Sequence, residues 1–276
     1  MAHPYFSIVI PALHEERALP KLLKDLRSQT YTDFDVWVVD GQSEDKTFAI
    51  IDQLGKKDAR FHGVISTRRN VGYQRNLGAK KSSGKYVLFF DADNRIPPYY
   101  LAGLHYQCAK QNVDAFTTYA TPDSTNAKEL IFLNFTNMVI EHGARIGLPF
   151  AFGACIGCRR DAFGDVQGFD DTMTFGEDTD FTRRLVRTGF EFSVFKDPMY
   201  TFSMRRYRKE GTLKVARQYA PLGIKLLINK KSTTPLDSYP MLGGKYFENT
   251  PEKERSTQTF KQLQALMKTL REIVTS

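Results

Sequence analysis

Tyr86-Val87-Leu88-Phe89-Phe90-Asp91-Ala92-Asp93 decides the fold. An unbroken apolar run with aromatic and β-branched members reads as a strand buried on both faces, the kind found inside parallel sheets. Burying an unpaired carboxylate is costly, so Asp91 and Asp93 are expected where the strand leaves the sheet. In open α/β sheets that carboxyl end is the ligand edge. Alternate residues of an extended chain share a direction, so both carboxylates are expected to face one cation or polar ligand.

Working outward, strand and helix patterns alternate. Residues 6–10 (FSIVI) read as a strand stopped by Pro11, followed by the loop Ala12-Leu13-His14-Glu15-Glu16. Leu19, Leu22, Leu23 and Leu26 recur at helical spacing over about 17–30. Residues 34–39 form the next strand, ending at Asp40-Gly41, and Ser43 is expected to start a helix to about Lys57 with Glu44 and Asp45 in its first turn. A short strand over 63–67 and a basic loop entering a helix lead back to the opening stretch. Beyond it the pattern predicts a helix opened by Pro97-Pro98, a strand over 113–120, and a helix over 127–146. An extended glycine-punctuated segment follows over 150–160, then a helix from Gly176 to Thr188 and a last strand over 190–195. The expected class is α/β, a mostly parallel Rossmann-like sheet with helices on both faces. No GxGxxG follows the first strand, which argues against a nicotinamide-binding fingerprint.

The composition, 41% hydrophobic and 25% charged, fits a globular chain rather than a disordered or membrane-embedded one. No apolar run approaches a membrane span, and the N-terminus lacks the charged-then-apolar layout of a signal peptide, so a cytoplasmic location is expected. Cys108, Cys155 and Cys158 are too few and too odd in number for a disulfide framework, and the CxxC at Cys155–Cys158 has no second pair to complete a zinc site. The formal net charge is +8, and its excess is local. Residues 201–231 hold Arg205, Arg206, Arg208, Lys209, Lys214, Arg217, Lys225, Lys230 and Lys231 against the single acid Glu210. That placement points to one anionic partner surface and away from nucleic-acid coating.

Acidic residues recur at expected strand ends: Glu15, Asp40, Asp91 with Asp93, and Glu177 with Asp178. A single such carboxylate is usually a turn or helix cap. The set together, with Arg68, Arg69 and Arg75 nearby in sequence, fits a polar ligand edge. Asp91-Ala92-Asp93 suits a hard divalent ion such as Mg²⁺ or Mn²⁺, which takes oxygen ligands and keeps waters for a phosphate to replace.

These segments occur in the order that marks a known family. The runs Ile8 to Glu16 and Val38 to Thr47, Arg75-Asn76-Leu77-Gly78, Asp91-Ala92-Asp93, Gly168-Phe169-Asp170 and Gly176 to Phe181 resemble family 2 glycosyltransferases of the GT-A fold. The resemblance covers about residues 6–208. It implies an inverting transferase that uses a nucleoside-diphosphate sugar and a divalent metal. It places Pro11, Ala12, His14 and Glu15 at the nucleotide, with Asp40 accepting from the base, usually uracil. Asp91 and Ala92 fall on the donor-sugar side and Asp93 on the metal. Asp178 falls on the general base, with Glu177 positioning it or the acceptor. Arg69 and Arg75 are expected near the diphosphate, and Arg184 matches an arginine that commonly follows the last motif.

The chain departs from the pattern at His14, where relatives usually carry Asn. It also lacks the QxxRW run of processive synthases, which favours transfer of a single sugar, and the histidine that some relatives place after the last core strand. Either Asp93 holds the metal with phosphate and water, or metal dependence is weak. Residues 1–208 are expected to be catalytic and 209–276 a basic, amphipathic helical extension. That extension would meet an anionic membrane near a lipid-linked or glycan acceptor, or Arg205 and Arg206 would close over the donor diphosphate. The apolar stripe from Phe260 to Val274 is expected to pack on the protein or on a second copy of the chain. The rival readings are a nucleotidyltransferase, and a non-catalytic protein that binds nucleotide or a membrane surface.

Overall fold

A computed structural model describes residues 3–151, 153–211 and Gly244. The apolar stripe after residue 250 and most of the 209–276 extension lie outside these residues. The elements, in chain order, are β1 (Phe6–Ala12), α1 (Leu19–Arg27), β2 (Phe34–Asp40), α2 (Thr47–Gly55), β3 (Phe61–Ile65), α3 (Val71–Lys81) and β4 (Tyr86–Phe90). They continue with α4 (Tyr100–Gln111), β5 (Ala115–Pro122), α5 (Ala127–Arg145), β6 (Cys155–Arg159), α6 (Arg160–Asp165), α7 (Glu177–Arg187), β7 (Phe192–Phe202) and α8 (Arg205–Glu210).

The strands form one sheet in the order β3-β2-β1-β4-β6-β5-β7. β1, β2, β3 and β4 are parallel, and so are β5 and β7; β6 runs antiparallel to both its neighbours. The α/β, mostly parallel expectation therefore holds, with one reversed strand. β4 is central, and its residues divide as a doubly covered strand requires. Tyr86, Leu88 and Phe90 pack into one core and Val87 and Phe89 into the other. The chain order reverses between β1 and β4, which is where ligands bind in open α/β sheets.

Several local expectations are corrected. β1 runs through Pro11, which pairs with Val39, and ends at Ala12 opposite Asp40. The helix expected from Ser43 begins only at Thr47. Asp45 stands before the N-cap residue Lys46 and accepts from the Thr47 N–H at 3.0 Å, so it lies outside the first turn rather than within it. The two prolines precede α4, and β7 reaches Phe202, well beyond the apolar run that announced it. Among the described residues no helix is long and apolar enough to cross a membrane.

The Arg75-Asn76-Leu77-Gly78 motif lies on α3, which the Asn70 side chain caps by accepting from the Tyr73 N–H at 2.8 Å. Gly78 lets this helix lie against β1 and β2: an added Cβ would stand 2.4 Å from Val9 Cγ1 and 3.1 Å from Val39 Cγ2. Gly78→Val is expected to lower the unfolding free energy by about 1–3 kcal/mol in urea titrations. Gly164→Ala on α6, where no described residue lies within 4 Å of the added Cβ, should be neutral or stabilising.

Candidate active site

The ends of β1 and β2 are laced together by their loops. The His14 N–H donates to Ser43 Oγ at 2.8 Å, the Glu15 N–H to Thr47 Oγ1 at 2.8 Å, and the Glu16 N–H to Asp45 at 3.2 Å. The Glu44 N–H returns to His14 Nδ1 at 3.3 Å. His14 has φ 55°, in the left-handed region. His and Asn both tolerate that region better than most side chains, so the substitution for Asn keeps the backbone path. Below the loops, Gln74 on α3 donates to the Ala12 and Val39 carbonyls at 3.1 and 2.7 Å and so holds the two strand ends.

Asp40 closes this corner and is 2% exposed. Its Oδ2 accepts from the Ser43 N–H at 2.9 Å, while among the described residues its buried Oδ1 has no hydrogen-bond partner. A buried acceptor without a donor is expensive, and it marks a place where a ligand N–H would be stabilising. Arg69 lies on the rim of the same corner, bound to the Gln42 carbonyl at 2.9 Å and to Glu44 at 3.3 Å. Both of these partners belong to the loop after β2. Arg68 stacks on Tyr73 and pairs with Asp171.

Past β4, the strand stops at Phe90. Residues 91–94 turn, with the Asn94 N–H bonded back to the Asp91 carbonyl at 3.2 Å. The period-two argument therefore does not apply, and the two carboxylates take different partners. Asp91 Oδ1 meets Arg75 at 3.3 Å, and Asp93 Oδ2 meets Arg205 Nε at 3.0 Å. Ala92 between them is buried. Arg205 also forks onto Glu15, with Nη1 2.9 Å from Oε2. Burial pushes the Glu15 carboxyl up to about 7 against the opposing pull of Arg205. Burial likewise raises Asp93, with Arg205 pulling the other way. Arg206 pairs instead with Glu210 one turn along α8.

Arg75, expected near the diphosphate, is buried among acidic and carbonyl partners. It is 2% exposed, and it donates to Glu177 at 2.8 Å, to Asp91 and to the Gly153 carbonyl at 3.1 Å. Its guanidinium also lies 5.2 Å from the Phe169 ring centre, and Phe169 stacks on Phe181 at 4.3 Å. The neighbouring Asn76 holds the same loop, donating to the Phe169 carbonyl at 2.8 Å and accepting from its N–H at 2.9 Å.

Glu177 and Asp178 open α7 behind Gly176, whose φ of 76° favours glycine. Asp178 accepts from the Gly153 N–H at 2.8 Å and from the Thr179 N–H at 2.7 Å. Burial, then the charge of Glu177, raises its proton affinity well above the usual carboxylate range, with Arg75 pulling the other way. Arg184 ties α7 to the preceding loop, bonding Asp180 at 2.7 Å, the Gly168 carbonyl at 2.7 Å and the Val166 carbonyl. Gly153, Gln74 and Thr47 carry much of this arrangement. Sequence reading missed them because their contacts are made by backbone or run between distant loops.

Among the described residues no three His, Cys, Asp or Glu side chains converge into a ready-made metal cage. Asp91 and Asp93 still fit Mg²⁺ or Mn²⁺, because such ions bind through one or two carboxylates and complete their shell with phosphate and water. The guanidinium on Asp93 already shows that this carboxylate draws a cation.

Residues 7–167 match the model of the family described as "Glycosyl transferase family 2". The chain is 32% identical over 94 residues to the poly(ribitol-phosphate) β-N-acetylglucosaminyltransferase TarS of Staphylococcus aureus. That match covers 33% of this chain and 16% of TarS, so the chain aligns with only a small part of that relative's length. The fold is similar to a mannosyltransferase from Pyrobaculum calidifontis solved with GDP-Man and Mn²⁺, with TM-score 0.64, 17% identity, and 81% of this chain and 65% of that one covered. It is also similar to residues 1–349 of S. aureus TarS solved with UDP, with TM-score 0.60, 21% identity, and coverage of 78% and 65%. At these identities the two structures speak for the fold.

Arg75→Met is expected to leave Glu177 buried without its counter-charge and to cost about 3–5 kcal/mol of stability, read by urea denaturation.

Proposed function

The chain belongs to glycosyl transferase family 2, and from that premise we propose that it is an inverting transferase. It moves one sugar from a nucleoside-diphosphate sugar, uridine-based, to a hydroxyl of a glycan or lipid-linked acceptor. The observation that carries this reading is Asp178. It is a carboxylate fixed by two backbone N–H donors with its proton affinity raised by burial and by Glu177. A general base works best when its pKa approaches the working pH, and these surroundings move an aspartate in that direction.

On this reading the unpartnered Asp40 Oδ1 accepts an N–H of the base, and the laced loops of Pro11, Ala12, His14 and Glu15 wall the nucleoside. That TarS was solved with UDP supports the choice of uridine. Asp91 lies toward the donor sugar, while Asp93, with Asp91, would hold the divalent ion, which when bound offsets charge on the diphosphate. Asp178 takes the acceptor hydroxyl's proton as that oxygen forms its bond to the anomeric carbon. The bond from that carbon to the diphosphate breaks on the opposite side, and the leaving group keeps the electron pair. Glu177, locked by Arg75, keeps the base oriented and raises its proton affinity. The basic run 201–231, largely outside the described residues, is read as the side that meets an anionic membrane carrying the acceptor.

Asp178→Asn should reduce transfer by at least about 10²-fold while leaving UDP binding intact, measured by product formation and calorimetry. Because the unprotonated carboxylate acts, kcat/KM should fall as pH drops through a pKa above the ordinary aspartate value of about 4. In thermal-shift assays UDP with Mn²⁺ should raise the Tm, and Asp40→Ala should weaken that response.

A further inference from the structure

The Arg205 side chain sits between Glu15 and Asp93 with little exposure: 14% for Arg205, 6% for Glu15 and 17% for Asp93. It opens α8 directly after β7, whereas Glu15 follows β1 and Asp93 follows β4. The contact draws together three segments that are remote in sequence. Its geometry is complete on both sides. Nη1 and Nη2 meet the two Glu15 oxygens at 2.9 and 2.5 Å, and Nε donates to Asp93 Oδ2 at 3.0 Å. Forked pairing of this kind is the strong form of the arginine–carboxylate bond.

We propose that Arg205 is a resident counter-cation that competes with divalent metal for Asp93, so that metal loads only together with the nucleotide diphosphate. This inference rests on the donor-site reading above. The N–H of Arg205 consumes an Asp93 oxygen that a metal would need. A divalent ion arriving alone would also meet a positive charge about 3 Å from its ligand, in surroundings that screen poorly. A metal–diphosphate pair has a way in that a free ion lacks. Its phosphate oxygens offer the guanidinium a second forked partner, and Arg205 can exchange Asp93 for them while staying paired. Glu15 then keeps the arginine nearby through the exchange. The coupling is reciprocal: whatever the guanidinium costs the metal, the metal costs the guanidinium.

The test is Mn²⁺ binding without nucleotide, followed by electron paramagnetic resonance of free Mn²⁺ and by thermal shift. Arg205→Gln removes the charge but keeps hydrogen-bonding capacity over the two carboxylates. It should bind Mn²⁺ alone about 5- to 150-fold more tightly than the unaltered chain, and Mn²⁺ alone should raise its Tm more. Glu15→Gln removes the competing carboxylate and leaves Arg205 to Asp93, so it should bind Mn²⁺ alone more weakly than the unaltered chain. If Arg205→Gln binds Mn²⁺ no more tightly than the unaltered chain, or Glu15→Gln binds it more tightly, while UDP with Mn²⁺ still raises the unaltered chain's Tm, the competition is overturned and the donor site stands. If neither UDP nor GDP with Mn²⁺ raises the Tm of the unaltered chain, the donor-site reading falls and this inference falls with it.

Discussion

The site depends on one buried cation. Arg75, 2% exposed on α3, reaches across to Glu177 at the start of α7, to Asp91 after β4 and to the Gly153 carbonyl before β6. A guanidinium without counter-charges could not be buried there, and Glu177 could not be buried without the guanidinium. Each therefore fixes the other, and with them the positions of the turn after β4 and the entry of α7. Gly153 connects the two halves of the site directly. Its carbonyl accepts from Arg75 while its N–H holds Asp178. Asn76, the next residue on α3, completes the brace by gripping both backbone groups of Phe169.

Around this brace the carboxylates are differentiated by surroundings rather than by chemistry. Asp40 keeps one oxygen paired within its loop and one without a donor. Glu15 and Asp93 share a guanidinium. Asp178 has backbone donors and a like charge beside it, which opposes its ionisation. Residues of one type thus take different partners and keep different unsatisfied valences within one sheet edge. The proposed division of base recognition, charge neutralisation and proton abstraction among them rests on that separation.

Much of the fold was legible because its signals are local. The alternation of apolar strands with amphipathic helices, and the strand buried on both faces at Tyr86–Phe90, follow from burial and need no partner to be read. The reversal of β6 was not legible, because a fully buried strand carries no mark of its direction. The start of α2 was misplaced because Ser43, a plausible cap, is used instead by the His14 backbone across the loop. The turn after Phe90 likewise replaced an extended path and sent Asp91 and Asp93 to different arginines.

The sequence by itself determined the α/β class, the acidic residues at the strand ends, and the ordered motifs that mark the family. All of these are set by residue type and by spacing along the chain. Only the tertiary structure decided what each charge does. Arg75 became a buried brace, Arg69 a rim contact, Arg184 a tether and Arg205 the partner of Glu15 and Asp93. The reason is physical. A guanidinium's role is fixed by which carboxylates and carbonyls lie within hydrogen-bond reach and by how much water remains around them. Those neighbours come from segments as far apart as Glu15 and Arg205, 190 positions along the chain.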